Sequence, residues 1–302
     1  MVKEARQCLQ VFLTYFHDCL FCIYRLFSDQ NGKEETPLKP FLKWAGGKYK
    51  LVPHIKELLP KTRRLIEPFV GSGAVFLNIE YDEYLLGDIN RDLINLYKTL
   101  QEKGPAFIQF CKSFFTPEHN SEEMYYILRE RFNSEQDITV KSALFVYLNR
   151  HGYNGLCRYN TSGKFNVPFG RYKKPYFPEA EMHYFYEKAK RATFVCAGFT
   201  DTMYTAQEGD VIYCDPPYVP LSETALFTTY SAGGFGKEQQ LELARIAREL
   251  ADRNIPVLIS NHETDFTLKA YASAQIRTLE VQRNISCDRN NRNKAKEVLA
   301  LF

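Results

Sequence analysis

Asp215, Pro216, Pro217 and Tyr218 are the residues whose types and spacing are best suited to chemistry. They follow Val211 to Cys214, an uncharged β-branched and aromatic run ended by two prolines, which reads as a buried strand that stops abruptly. Asp215 is therefore expected at the carboxyl end of a strand. Open α/β sheets bind ligands at that edge, and the prolines leave the carboxylate little freedom to move. The carboxylate accepts a hydrogen bond, Pro216 offers a carbonyl and Tyr218 offers a ring face. Two acceptors can hold the N–H bonds of a planar exocyclic amine and leave its lone pair aimed at an electrophile, while the ring stacks on the attached base. The alternative is a strand-to-loop turn in which Asp and Pro only punctuate the chain.

Two turns earlier in the chain have the composition of a cofactor site. In the stretch Phe41 to Lys48, Gly46 and Gly47 allow backbone to approach a ligand closely, Trp44 is the chain's only tryptophan, and Lys48 can meet a carboxylate. Leu65 and Ile66 read as a strand entering Glu67, Pro68, Phe69, Val70, Gly71, Ser72, Gly73, with a helix start over Ala74 to Asn78. A second strand over Tyr84 to Gly87 ends at Asp88, close to the spacing at which an acid meets ribose hydroxyls in nucleotide-binding folds. The third glycine of the dinucleotide fingerprint and the lysine of a Walker loop are both missing, and a bare Gly-x-Gly is weak evidence. The pattern favours a nucleoside-type cofactor over NAD or ATP. S-adenosylmethionine fits, with its ribose on Asp88 and its amino acid end near the glycine turns.

The elements that must position these turns follow from periodicity. Helical stretches are expected over Asp92 to Glu102, Ser121 to Asn133, Val140 to Leu148 and Lys237 to Arg253, and strands over Ile255 to Ile259 and Val298 to Phe302. Ser260, Asn261 and His262 close the former strand, and His262 reads as a loop or supporting residue rather than a catalytic base. Arg150 to Pro178 holds six Lys or Arg and no Asp or Glu, with seven aromatics interleaved and a hairpin turn expected over Asn160 to Lys164. Basic residues meet phosphates, arginine reads guanine edges, and an apolar wedge enters the base stack. The bland alternative is a solvated basic hairpin. Pro220 to Gly236 is long and polar enough to act as a lid, and Asn284 to Lys296 is a basic loop placed to touch phosphate backbone.

The 302 residues, 45% hydrophobic and 25% charged with a net charge of +3, are ordinary for a soluble globular protein with one large core and an inserted lobe. The eight cysteines are scattered without a disulfide spacing, which points to reduced thiols in a cytoplasm. Cys19 and Cys22 form a Cys-x-x-Cys pair, but no second pair or Cys/His set lies close in sequence to complete a zinc site, so no metal is expected. Residues 1 to 36 differ in character from the rest. Cys8 to Phe27 is apolar, yet His17, Asp18 and Arg25 interrupt it, which argues against a membrane span and for an amphipathic appendage with a polar linker.

Phe41 to Lys48, Glu67 to Gly73, the basic insert Tyr147 to Lys174 and Cys214 to Tyr218, in this order, resemble the bacterial Dam-type DNA adenine-N6 methyltransferases of the D12 class. The likeness covers roughly Phe41 to Phe302 and is densest over Tyr147 to Asn160. It implies an α/β fold of the Rossmann-like class I methyltransferase type, mainly parallel, with an inserted helical and β-hairpin lobe. The expected boundaries are an extension over residues 1–36, a cofactor-binding catalytic domain over 37–92 and 192–302, and a DNA target-recognition insert over 93–191. The resemblance further implies that Trp44, Lys48, Gly71, Asp88 and Asp215 hold S-adenosylmethionine, and that Asp215, Pro216, Pro217 and Tyr218 orient the target adenine. Tyr153 would wedge into double-stranded DNA and Asn154 would follow it at the target step. Leu156 and Arg158 would read flanking bases, Pro168 would touch a base, and Arg150 would join the basic surface. On that likeness the recognition sequence is GATC, without an obligate protein partner. His151 stands where the family usually has an aromatic residue, and residues 1 to 36 have no counterpart there. The rival readings are a protein glutamine or RNA base methyltransferase, which usually carries Asn at the position of Asp215, and a DNA-binding regulator that has lost catalysis. The housekeeping, prophage and restriction-modification settings stay open.

Overall fold

The chain's structure, a computed structural model, describes residues 37–219, 235–281 and 295–302. The N-terminal segment with its Cys19 and Cys22, and all but the last two residues of both the Pro220 to Gly236 lid and the Asn284 to Lys296 loop, lie outside the described residues. The strands are β1 (Arg64–Glu67), β2 (Glu83–Asp88), β3 (Ala192–Cys196), β4 (Asp210–Cys214), β5 (Val257–His262), β6 (Gln275–Val281) and β7 (Ala295–Leu301). Together they form one sheet of order β3-β2-β1-β4-β5-β7-β6. β3, β2, β1, β4 and β5 run parallel, while β7 pairs antiparallel with both β5 and β6. β4 is buried at every position, the signature of a strand covered on both faces, which explains why its sequence runs apolar rather than alternating.

The helices are α1 (Val52–Leu58), α2 (Ala74–Asn78), α3 (Arg91–Lys112), α4 (Glu122–Ser134), α5 (Ile138–His151), α6 (Glu179–Ala189), α7 (Phe199–Tyr204), α8 (Lys237–Ala251) and α9 (Asp265–Ala270). Alternate strand residues sort them to the two faces of the sheet. Leu65, Tyr84, Leu86 and Tyr213 join one apolar cluster with α1, α2, α3 and α6. Ile66, Leu85, Ile212, Cys214 and Ile259 join a second with α7, α8 and α9. α4 and α5 extend the first cluster outward, so the segment between β2 and β3 shares the apolar core of the sheet. Tyr97 pins it there: its ring stacks on Phe185 at 4.6 Å, and its hydroxyl donates to the Gly71 carbonyl in the turn that follows β1.

Four expectations change in detail. α3 continues past Glu102 to Lys112, because Gly104 takes a φ of 49° and Pro105 opens a second helical piece at a position where no N–H is needed. Asn90, Ser121 and Asp137 cap α3, α4 and α5 by accepting from their first turns, which sets the helix starts. α5 runs on to His151 rather than stopping at Leu148, since its apolar residues stay buried to the last turn. β5 likewise continues through Ser260 and Asn261 to His262, which is a strand residue rather than a loop residue. Finally, β7 opens at Ala295, earlier than expected, because β6, which the sequence reading missed, pairs along its whole length. Among the described residues no helix is long and apolar enough to cross a membrane.

Candidate active site and nucleic-acid interface

Asp215 emerges from the carboxyl end of β4, and the two prolines after it carry the chain across the mouth of the sheet. Its Oδ1 accepts from Ser260 Oγ at 2.9 Å and pairs with Lys48 Nζ at 3.0 Å. Tyr213 places its hydroxyl 3.0 Å from Ser260 Oγ, so the serine is itself held. Burial pushes the Asp215 carboxyl up from its ordinary range, against the opposing pull of Lys48 and Ser260. The rest of the turn is fixed from β5 and α8. Pro217 O accepts from Gln240 Nε2 at 2.8 Å, Val219 N donates to Asn261 Oδ1 at 3.2 Å, and Val219 O lies 2.9 Å from His262 Nδ1. Asn261 Nδ2 in turn donates to Gln240 Oε1 at 3.0 Å. His262 also sets its ring edge-on to Tyr218 at 4.7 Å.

Tyr218 donates its hydroxyl to Glu297 Oε2 at 2.9 Å, and Lys48 Nζ lies 4.2 Å above its ring centroid. An N–H donor thus sits on the Asp215 carboxylate and over the Tyr218 ring at once. The contact with Asp215 is one of the two that the sequence reading asks of an exocyclic amine, the other being the Pro216 carbonyl. This ammonium covers the ring face expected to take a base, so base and ammonium cannot share it. Ser260, Gln240, Asn261 and Glu297 escaped sequence reasoning because they arrive from β5, α8 and β7. The one local signal was the polar run that closes an otherwise apolar β5.

The candidate cofactor residues gather at the adjoining strand ends. Gly71, at φ +47°, leads from β1 toward α2, and a Cβ there would stand 2.9 Å from Trp44 Nε1, so the tryptophan packs on the turn only because the residue is glycine. Gly71 N donates to Asp88 Oδ2 at 3.2 Å, and Asp88 Oδ1 accepts from Asn90 N at 2.8 Å. The loop Phe41 to Lys48 brings Trp44 to this turn and Lys48 to Asp215, so all five candidate cofactor residues meet along one edge. Apolar neighbours unforeseen from sequence complete it. Ile89, directly after Asp88, is 82% exposed, and Phe69, Phe199 and Phe235 form a mutually packed aromatic set.

The basic segment folds as an irregular hairpin rather than two regular strands. It is closed by the pairs Gly152–Phe169 and Tyr159–Phe165, and Asn160 Oδ1 braces the tip by accepting from Ser162 N and Lys164 N. α4 holds its far limb through Tyr125 to Val167 O at 3.0 Å and Asn133 to Phe165 N at 2.8 Å. Tyr153, Asn154, Arg158 and Pro168 are exposed, and Leu156 is half-buried. Tyr153 N donates to Pro168 O at 2.8 Å, which brings those two candidates side by side. Arg158 is steadied by Asn166, with Nε on Oδ1 at 2.8 Å. Arg150 requires correction. The sequence places it on the open basic surface, but the longer α5 buries it to 8% exposure, leaves its Nε without a partner, and sets its guanidinium 5.3 Å from the Tyr176 ring.

A parallel sheet with a glycine turn after β1, an acid at the end of β2, an Asp-Pro-Pro-Tyr turn after β4 and an antiparallel β7 between β5 and β6 defines a Rossmann-like methyltransferase. The sequence model of the D12 class N6 adenine-specific DNA methyltransferases matches residues 44–285, and the chain belongs to that family. It is 53% identical over 264 residues to the DNA adenine methylase of Escherichia coli (strain K12), across 87% of this chain and 95% of that one. It is 53% identical over 265 residues to the DNA adenine methylase of Vibrio cholerae serotype O1 (strain ATCC 39541 / Classical Ogawa 395 / O395), across 87% and 96%. The Serratia marcescens DNA adenine methylase is 51% identical over 265 residues, across 87% of this chain and 98% of its own. The chain is an adenine-specific DNA methyltransferase.

Proposed function

We propose that this enzyme transfers the methyl group of S-adenosyl-L-methionine to N6 of adenine in double-stranded DNA, within GATC. The observation that carries the reading is the Lys48 ammonium seated on Asp215 and over Tyr218, because it is an N–H donor in the position the reaction requires of N6. The chain supports S-adenosylmethionine with the Gly71 turn, the Trp44 ring and Asp88, and Ile89 and Phe69 add apolar surface of the kind a nucleoside base covers. When bound, that cofactor supplies an electrophilic methyl group on a sulfonium. Because N6 is occupied in base pairing within a duplex, the target adenine must leave the stack before Asp215 and the Pro216 carbonyl can hold its two N–H bonds. Tyr218 takes the base after Lys48 has left its ring. Positioning and electrostatic alignment then carry the rate, and the acidity of Cys214 is not needed. Tyr153, Asn154, Leu156, Arg158 and Pro168 supply the duplex contacts, and the likeness of Tyr147 to Asn160 to the family's recognition segment supports GATC. The scattered cysteines support a cytoplasmic enzyme.

The test is expression in cells lacking adenine methylation, followed by digestion of their DNA with endonucleases blocked by, or dependent on, methylated GATC. Protection at every GATC, abolished by Asp215→Ala, is the expected result. Soluble protein that binds GATC duplex yet confers no protection overturns the reading in favour of a non-catalytic binder.

A further inference from the structure

One buried side chain touches both the loop that carries Trp44 and Lys48 and the segment that carries Tyr153 to Arg158. Asn149, on the last turn of α5, is 2% exposed. Its Oδ1 accepts from Lys43 N at 2.9 Å, and its Nδ2 donates to Lys43 O at 2.8 Å and to Gly155 O at 3.1 Å. The amide therefore caps both backbone groups of Lys43 as a neighbouring strand would, and spends its remaining N–H on the hairpin.

The packing around this clamp leaves no slack. Gly155 has φ +64°, and a Cβ there would stand 2.3 Å from Lys43 Cβ, so hairpin backbone and lysine stem are in direct contact. Lys43 Nζ lies 4.1 Å over the Tyr172 ring, while the Tyr172 hydroxyl accepts from Asn154 N at 3.0 Å. Asn154 itself has φ 53°, a conformation that needs such support. One residue further along the loop Trp44 packs on Gly71, and five residues further Lys48 pairs with Asp215. A displacement of Asn154 or Gly155 on duplex engagement is thus transmitted to Lys43, and from Lys43 to the turn that holds cofactor and acceptor carboxylate.

We propose that Asn149 is a positioning residue that couples the duplex-reading hairpin to the cofactor loop, so that duplex and cofactor bind with linked affinities. The inference rests on the assignment of these two segments under Proposed function. Linkage makes it measurable, because each ligand must change the other's affinity by the same factor.

The experiment titrates S-adenosylhomocysteine, the non-reactive product, into the full-length protein with and without a short duplex bearing one GATC. In the parent protein the duplex should tighten S-adenosylhomocysteine binding by between about 5-fold and 150-fold, the usual size of a coupling between two sites. Asn149→Asp keeps the acceptor for Lys43 N but loses both donated bonds. It should bring the factor to about 1 while binding in the absence of duplex stays within a few-fold, as two lost bonds remote from the ligand allow. A residue that served only to stabilise the fold would lower melting temperature and leave the factor intact. If Asn149→Asp does not fold, Tyr172→Phe, which removes only the acceptor for Asn154 N, should lower the factor part of the way. A folded Asn149→Asp with the parent's factor, or a parent that binds both ligands independently, overturns the proposal alone. A parent that binds no S-adenosylhomocysteine overturns the cofactor assignment as well.

Discussion

His151→Phe should make the protein's stability less sensitive to acid. His151 is 1% exposed, its ring stacked on Tyr147 at 4.0 Å and 27° and 5.0 Å from Phe115, with Nδ1 3.0 Å from the Tyr147 carbonyl. Burial pushes its pKa down to about 4 from 6.5, the Tyr147 carbonyl opposes this, and His119 and Lys43 reinforce it. A histidine whose folded pKa is depressed binds its proton more readily unfolded. Its contribution is therefore complete above pH 6.5 and is lost as pH falls toward 4. A shift of that size corresponds to about 3.4 kcal/mol in full, of which about 2 kcal/mol is already lost at about pH 5. The assay is urea unfolding of parent and variant at about pH 5 and about pH 8, taking the difference of the two pH effects. Burial also pushes up the carboxyls of Glu67, Asp88 and Asp215, but they are common to parent and variant and cancel in that difference. The parent should lose about 2 kcal/mol more than His151→Phe on acidification. A difference below about 0.5 kcal/mol would mean that the buried ring takes up its proton without penalty, and the argument would fall.

Cys214→Ala should keep substantial methylation, at a stability cost of about 1 kcal/mol for the small cavity, because the thiol faces the second apolar cluster and burial pushes its pKa well up. A folded but inactive variant in a methyl-transfer assay would contradict the absence of a covalent step. Arg158→Ala should weaken discrimination at one flanking base by about 1 to 3 kcal/mol, read as relative rates on single-substitution duplexes. A uniform loss across all sequences would make it a backbone contact instead. Glu67→Gln should be tolerated near neutral pH, since Glu67 Oε1 is buried without a partner and burial beside Asp215 raises its pKa well above the usual carboxylate range. A raised folded pKa contributes stability at low pH that is lost as pH rises, so the variant should gain on the parent between about pH 5 and about pH 8 in urea unfolding. A relative loss over that interval would refute it.

Much of the site's outline is legible because the residues that define it lie at strand ends, where local composition changes sharply. An uncharged run stopped by Pro216 and Pro217 fixes β4 and hence the placement of Asp215. Gly71 and Asp88 mark the ends of β1 and β2 for the same reason. What the sequence conceals is support from afar. Ser260, Gln240 and Glu297 reach the Asp215 turn across separations of tens of residues, and apart from the polar run that closes β5 nothing in their own neighbourhoods distinguishes them from ordinary polar positions. Arg150 shows the opposite failure. Counting charge over a window treats each basic residue alike, whereas one more helical turn of α5 moves this guanidinium from water to the interior.

Lys48 shows how far composition can lead before geometry must take over. A lysine four residues after Trp44 predicts only that some carboxylate will be met. The structure makes that carboxylate Asp215 and also places the ammonium over Tyr218, so one cation uses both features on which an adenine amino group would depend. Lysine is flexible and strongly hydrated, and a move outward would return its charge to water while freeing both acceptor and ring. The same anchor ties Lys48 to Lys43 within a short loop, and Lys43 to the hairpin through Asn149. The proposed duplex-reading residues Tyr153 and Asn154 and the Asp215 turn are therefore joined through a continuous run of backbone and one amide.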